Sequence, residues 1–157
     1  MAVFQSIFPY TQALVQEYPV MDDAAIDDAL QSAEKGFGIW RNTSFAERSM
    51  VLNNAADILR KNKALYAQLI TREMGKVLPE SLAEVEKCAW VCEYYAAHGE
   101  SFLAEEMIEA GYHKSFVTYQ PIGAVLAIMP WNFPFWQVFR YAAPTLMAGN
   151  VSLLKHA

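Results

Sequence analysis

At 157 residues, 54% of them apolar and 18% charged, the chain is neither disordered nor low-complexity. Two cysteines are too few for a disulfide-stapled scaffold. A net charge of −5 argues against a partner held through its phosphates, so no nucleic acid is expected. The opening MAVFQSIFPYTQ lacks the basic flank and long apolar core of a signal peptide, and the expected location is cytoplasmic.

Charge is segregated along the chain. Residues 1–109 hold all 17 acidic residues and nine of the 12 basic ones, a net of −8. Residues 110–157 carry no acid, and only Lys114, Arg140 and Lys155 are formally charged, a net of +3. The 25 residues between Lys114 and Arg140 are uncharged, which raises the question of a membrane span. Pro121, Pro130 and Pro134 interrupt that stretch, and each interior proline removes a helix hydrogen bond that lipid cannot replace. No membrane association is expected.

In chain order, residues 1–20 read as irregular or strand-like, punctuated by Pro9 and Pro19. A first helix is predicted from Asp23 to Gly36, since Ile26, Leu30 and Ala33 recur at helical spacing and Asp22 and Asp23 suit its positive end. Ser44 and Glu47 read as a capping box opening a second helix that continues through Lys63 to residue 74, with Gly75 as a left-handed stop. A third helix starts near Pro79, carries the stripe Leu82, Val85, Ala89 and Cys92 or Tyr95, and has Gly99 near its end. The pattern then changes. Residues 115–120 read as a strand, and Gly123–Met129 as a strand buried on both faces. A helix from Pro134 to Met147, stopped by Gly149 and Asn150, leads to a further buried strand at 151–154. Strand, crossover helix and strand make one parallel βαβ unit.

Parallel sheets bind ligands at the carboxyl ends of their strands. Two such ends are readable, Pro130–Phe133 and Lys155–Ala157, and one crossover puts both on the same sheet edge. Phe133 precedes a proline, which stiffens the turn holding Asn132. From spacing alone Asn132 is either an amide donor to a developing negative charge or a helix cap. Lys155 is either a ligand contact or a solvated strand end. His98, His113 and His156 have no metal or triad spacing, and Cys88 and Cys92, four apart on a predicted helix, read as small buried side chains. No metal is expected.

The segment Pro121-Ile-Gly-Ala-Val-Leu-Ala-Ile-Met-Pro-Trp-Asn-Phe-Pro134 resembles the signature of the aldehyde dehydrogenase superfamily. Ile26–Leu30, Gly36-Phe37, Trp40-Arg41 and Thr71-Arg-Glu-Met-Gly-Lys76 are similar to further family patterns. Within it, Ile128–Pro134 with Leu153–Ala157 is most similar to the bacterial succinate-semialdehyde branch. The resemblance implies oxidation of a small aldehyde, succinate semialdehyde, with NAD or NADP as cofactor. It implies an oxyanion-holding role for Asn132 and cofactor contacts from Met129, Pro130, Trp131, Asn132, Lys155, His156 and Ala157. It further implies that Arg140, with Trp136 and Phe133, contacts substrate, and that the intact enzyme is a homo-oligomer. Charge arithmetic agrees about Arg140: it stands about 9 Å along the helix from Pro134, at ~1.5 Å per residue, and no acid in 110–157 can pair with it. The alternatives are that it snorkels to solvent or pairs with an acid of the helical layer.

The chain departs from the family in two local respects. Phe8 stands where relatives have asparagine, and His156 where proline is commoner. The ordinary G-x-G-x-x-G fingerprint is also absent, which the family's different pyrophosphate binding accommodates. The family's nucleophilic cysteine and general-base glutamate have no counterpart in these residues. The expected architecture is α/β: a mainly helical layer over 1–113, an arm-like strand at 114–120, and over 121–157 the first βαβ unit of a Rossmann-like doubly wound sheet. The catalytic domain is expected to be absent and this chain alone inactive. The alternative is a non-catalytic fragment or interaction module.

Overall fold

The computed structural model describes residues 3–156. The chain opens as an antiparallel hairpin of β1 (Val3–Ile7) and β2 (Leu14–Pro19). Pro9 lies in its turn and Pro19 closes it opposite Val3, so the two prolines bound the hairpin rather than prevent it. The Gln12 side chain donates to Pro9 O at 2.7 Å, steadying a left-handed Gln12 (φ 59°).

A helical layer follows: α1 (Asp23–Trp40), α2 (Phe45–Lys61), α3 (Lys63–Met74) and α4 (Leu78–Phe102). The expected starts hold. Asp22 Oδ1 accepts from Ala25 N at 2.9 Å, and Ser44 and Glu47 form the reciprocal box, Ser44 N to Glu47 Oε2 at 2.7 Å and Glu47 N to Ser44 Oγ at 3.2 Å. The ends differ from expectation. Helix α1 runs past Gly36 to Trp40, whose indole N–H donates to Leu146 O at 2.9 Å and so anchors an extra turn. The second helix is two helices, because Asn62 leaves helical geometry (φ −105°, ψ 14°) and its side chain donates back to Ile58 O. Gly75 ends α3 in the left-handed conformation (φ 77°), as its position predicts.

Gly99 lies near the end of α4, as expected, and is also a contact point. A Cβ there would collide with the Met147 side chain of α5 (Trp136–Met147). Around this contact lies the core: Leu52, Ala56, Leu59, Ile70, Val85, Cys88, Cys92, Ala143 and Met147 are all buried together. Of the stripe read from the third predicted helix, Val85, Ala89 and Cys92 lie in this core, whereas Leu82 is half-buried and outside it.

Beyond α4, β3 (Glu106–Met107) pairs antiparallel with β4 (Phe116–Val117), so ladder pairing within 115–120 covers only two residues. Then β5 (Ala124–Ile128), α5 and β6 (Val151–Lys155) form the expected unit, with β5 and β6 parallel and Ile128 opposite Lys155. Asn150 Oδ1 accepts from Ile122 N (2.7 Å) and Gly123 N (3.1 Å), pinning the start of β5 to the turn before β6. Tyr141 of α5 donates to Val125 O at 2.9 Å and so holds the crossover helix on the sheet. One expectation is corrected. Strand β5 is buried on one face only: Ala127 is buried, whereas Leu126 and Ile128 are 61% and 69% exposed. The period-2 alternation of side chains puts both on the face that no described element covers.

Gly99→Ala should destabilise the fold by about 1–3 kcal/mol, because the added methyl must displace Met147 from a filled core. A denaturant melt checks this, and an unchanged midpoint would show that α4 and α5 are not in forced contact.

Candidate active-site turn

Strand β5 ends at Ile128, and Met129 N carries the ladder one step further by donating to Lys155 O at 3.2 Å. Residues 130–135 then turn into α5. The parallel pairing puts this turn and Lys155 at the same edge of the sheet, as the single crossover requires. Trp131, Asn132 and Phe133 are exposed there, as is Lys155. Ala157 lies outside the described residues.

Helix α5 begins at Trp136 rather than Pro134, and it has no cap of its own. Its N-cap is Phe135, which offers no side-chain acceptor. The first amides of the helix are satisfied from the helical layer: Glu84 Oε1 of α4 accepts from Phe135 N at 2.9 Å and from Trp136 N at 3.0 Å. Glu84 Oε2 pairs with Lys76 Nζ, and the two side chains are only 2% and 7% exposed. The Lys76 ammonium also lies 3.7 Å from the centre of the Phe133 ring, next to Asn132 in sequence. One carboxylate thus holds the helix start and the cation that holds the turn. The capping reading of Asn132 is overturned, because Glu84 occupies that role. Among the described residues, the Asn132 amide makes no hydrogen bond.

The other end of α5 is held the same way with opposite charge. Buried Arg48 of α2 donates to Met147 O (3.1 Å) and Arg41 O (3.1 Å), and its Nε to Thr43 Oγ1 (3.0 Å). Burial lowers its pKa, and carbonyl partners rather than an acid compensate the guanidinium. Gly149 (φ 86°) lets the chain leave α5 close to it, for a Cβ there would lie 2.8 Å from Arg48 Nη2. Sequence reading found neither Glu84 nor Arg48. The available signal was indirect: once Asn132 is not the cap, a helix start in an acid-free segment needs an acceptor from elsewhere.

Asn132, Phe133, Trp136 and Arg140 come together in an open cleft of ≈560 Å³ between α4 and α5, whose opposite wall carries Lys76 and Lys87. Arg140 is exposed, and among the described residues its guanidinium has no ion pair, so the helical layer supplies no acid to it. The Lys87 ammonium sits 4.0 Å over the Trp136 ring. This wall also carries Glu80 and Glu84, and Lys76 is paired with Glu84.

Cys88 and Cys92 are fully buried and free, as their spacing predicts. Burial, first of all, pushes both thiols up: Cys92 to about 11, and Cys88 further, with nearby Glu84 adding to the rise. Neither forms a thiolate near neutral pH, so neither is a nucleophile. No group of three or more candidate metal ligands exists among the described residues, and no helix is long and apolar enough to cross a membrane. Native protein at pH 8 should resist alkylation by iodoacetamide at both thiols, with full labelling only after unfolding. Mass-spectrometric labelling of either thiol in folded protein would contradict this burial.

Residues 2–157 match the aldehyde dehydrogenase family. A probable NADP(+) succinate-semialdehyde dehydrogenase of Synechocystis is 49% identical over 152 residues, covering 97% of this chain and 34% of that protein. NADP(+) succinate-semialdehyde dehydrogenase 1 of Mycobacterium tuberculosis H37Rv is 44% identical over 155 residues, again covering 97% and 34%. Among solved structures, succinic semialdehyde dehydrogenase from Streptococcus pyogenes, in complex with NADP+, superposes with a TM-score of 0.94 at 35% identity. That match covers 98% of this chain and 34% of the other. The chain therefore spans about a third of the length of these relatives. With the Pro130–Pro134 turn at a strand's carboxyl end and a match running from residue 2 to residue 157, the chain belongs to the aldehyde dehydrogenase family.

Proposed function

We propose that this chain forms the cofactor-side part of an NADP-dependent succinate-semialdehyde dehydrogenase. The observation that carries the reading is the Asn132 amide, unpaired on a stiff turn and sharing a cleft with an unpaired Arg140. An amide that no other protein group engages can turn its N–H to an oxyanion as charge develops. Arg140 suits the remote carboxylate of a short dicarboxylic semialdehyde, since its planar fork matches a carboxylate. Trp136 and Phe133 supply apolar walls between these two polar points.

The sheet edge fits a nicotinamide nucleotide. Lys155 presents an exposed ammonium at the end of β6, and the exposed turn at 130–132 offers backbone groups beside it. Lys155 would contact a ribose, with Met129, Pro130, Trp131 and His156 lining the same edge. When bound, the nucleotide supplies the hydride acceptor. The named relatives carry NADP(+) in their names, which favours NADP over NAD here. Small aldehydes are the substrate class. Location in the cytoplasm and a homo-oligomeric intact enzyme remain part of this proposal.

The chemistry also needs a nucleophile and a base for hydrolysis, and the described residues contain no exposed thiol. We accordingly expect no reduced cofactor from the purified 157-residue chain given succinate semialdehyde and NADP+. A steady rise in absorbance at the reduced-nicotinamide band would contradict this assignment of labour.

In a full-length dehydrogenase bearing these residues as its N-terminal part, Asn132→Ala should lower turnover by about 10²–10³, with little change in cofactor affinity. An unchanged turnover number would remove Asn132 from the chemistry. Arg140→Ala should raise KM for succinate semialdehyde while leaving butanal oxidation nearly unaffected. Equal loss on both aldehydes would make Arg140 structural and leave the substrate unassigned.

A further inference from the structure

Asn132 has no hydrogen bond of its own, yet its use as a donor depends on being held in one place. Besides the backbone bonds from Gln137 N to Phe133 O and from Met129 N to Lys155 O, its turn is held from the helical layer through one buried pair. Glu84 Oε1 takes the amides of Phe135 and Trp136, Glu84 Oε2 takes Lys76, and the Lys76 ammonium packs on the Phe133 ring. Asn132 is flanked by Phe133 directly and lies three residues before the first of the two amides. The carboxylate also stands at the positive end of the α5 dipole, where negative charge is favoured.

We infer that Glu84 and Lys76 are positioning residues for the oxyanion donor Asn132: Glu84 sets the start of α5, Lys76 presses Phe133 into the turn, and together they fix where the Asn132 amide points. This inference rests on the proposed role of Asn132 and assigns the device that serves it. The pair is not needed merely to fill space. Glu84 is a carboxylate among apolar neighbours such as Val85 and Cys88, and buried ion pairs of this kind seldom improve on a well-packed apolar substitute. What an apolar residue could not supply is two bonds to helix amides and one to a cation.

Two measurements test the inference, one of them independent of activity. The first is hydrogen exchange by mass spectrometry on the 157-residue chain. Glu84→Ala should accelerate exchange in the peptide spanning 131–139 by about tenfold or more, against little change in the α2 and α4 core peptides. Glu84→Gln keeps an acceptor and loses the charge, so it should give a smaller acceleration in the same peptide. If the alanine variant does not fold, the glutamine variant decides alone: local acceleration supports the inference, and none overturns it. Acceleration spread evenly through α2 and α4 also overturns it, since that is the mark of a general stabilising role.

The second is a double-mutant cycle in a full-length dehydrogenase bearing these residues. Glu84→Gln should lower kcat about tenfold with KM for the aldehyde changed less than twofold, and should add nothing further once Asn132 is alanine. Multiplying losses would mean that Glu84 does not act through Asn132 and would overturn the inference. Failure of Asn132→Ala to affect turnover would instead strike the proposed function, and the exchange data would still stand.

Discussion

The structure depends on how α5 is terminated. A helix leaves its first amides and last carbonyls without partners. In α5 neighbouring backbone groups satisfy some of them, Gln137 N donating to Phe133 O and Ala148 N to Pro144 O, but no side chain of its own caps the start. Glu84 supplies the acceptor at the start, while Arg48 and the Trp40 indole supply donors at the finish. The charges have the signs that the helix dipole favours, negative at the amide end and positive at the carbonyl end. Because all three borrowed groups belong to the helical layer, α5 is fixed relative to that layer along its axis as well as across it. The turn before α5 and the strand after it inherit that placement.

This gives the segregation of charge a physical meaning. The sequence from Ala110 onward holds no acid, which drew attention to Arg140 as a cation without a partner. The helical layer does contribute an acid to that region, but to backbone amides and Lys76 rather than to Arg140. Arg140 is thereby left free to take an outside anion. Glu84 and Arg140 lie on opposite walls of one cleft, and the negative member is neutralised by Lys76 before it can attract the positive one. A buried carboxylate shared among three donors has little field left for a fourth.

Much of this was legible from pattern. Local signals with a short-range cause held up: the Asp22 and Ser44 caps, the Gly75 stop, the α4 stripe and the parallel βαβ unit. The Pro-Trp-Asn-Phe-Pro string located the turn, and the turn is where the cleft opens. One failure was local, the break at Asn62, whose side chain bonds Ile58 O; others came where a distant residue decided the outcome. Helix α1 gained a turn from a bond between Trp40 and Leu146, 106 positions away, and α5 began late because Glu84, 51 positions from Phe135, holds its first amides. Gly99 lies near the end of α4 as its position suggested, but that its lack of a side chain serves a close helix crossing was not visible locally. The apolar run of β5 implied burial on both faces, whereas the described residues cover one. Periodicity records which side chains are apolar and not what meets them.

If α4 holds the Asn132 turn through Glu84, a crystal structure of the Glu84→Ala chain beside the unsubstituted one will show it. The account predicts that residues 130–137 shift or lose their order, with the Phe135 and Trp136 amides turned to water, while α2 and α4 superpose unchanged. An Asn132 turn in the same place and equally well ordered would show that the chain's own geometry, and not the borrowed carboxylate, fixes the site.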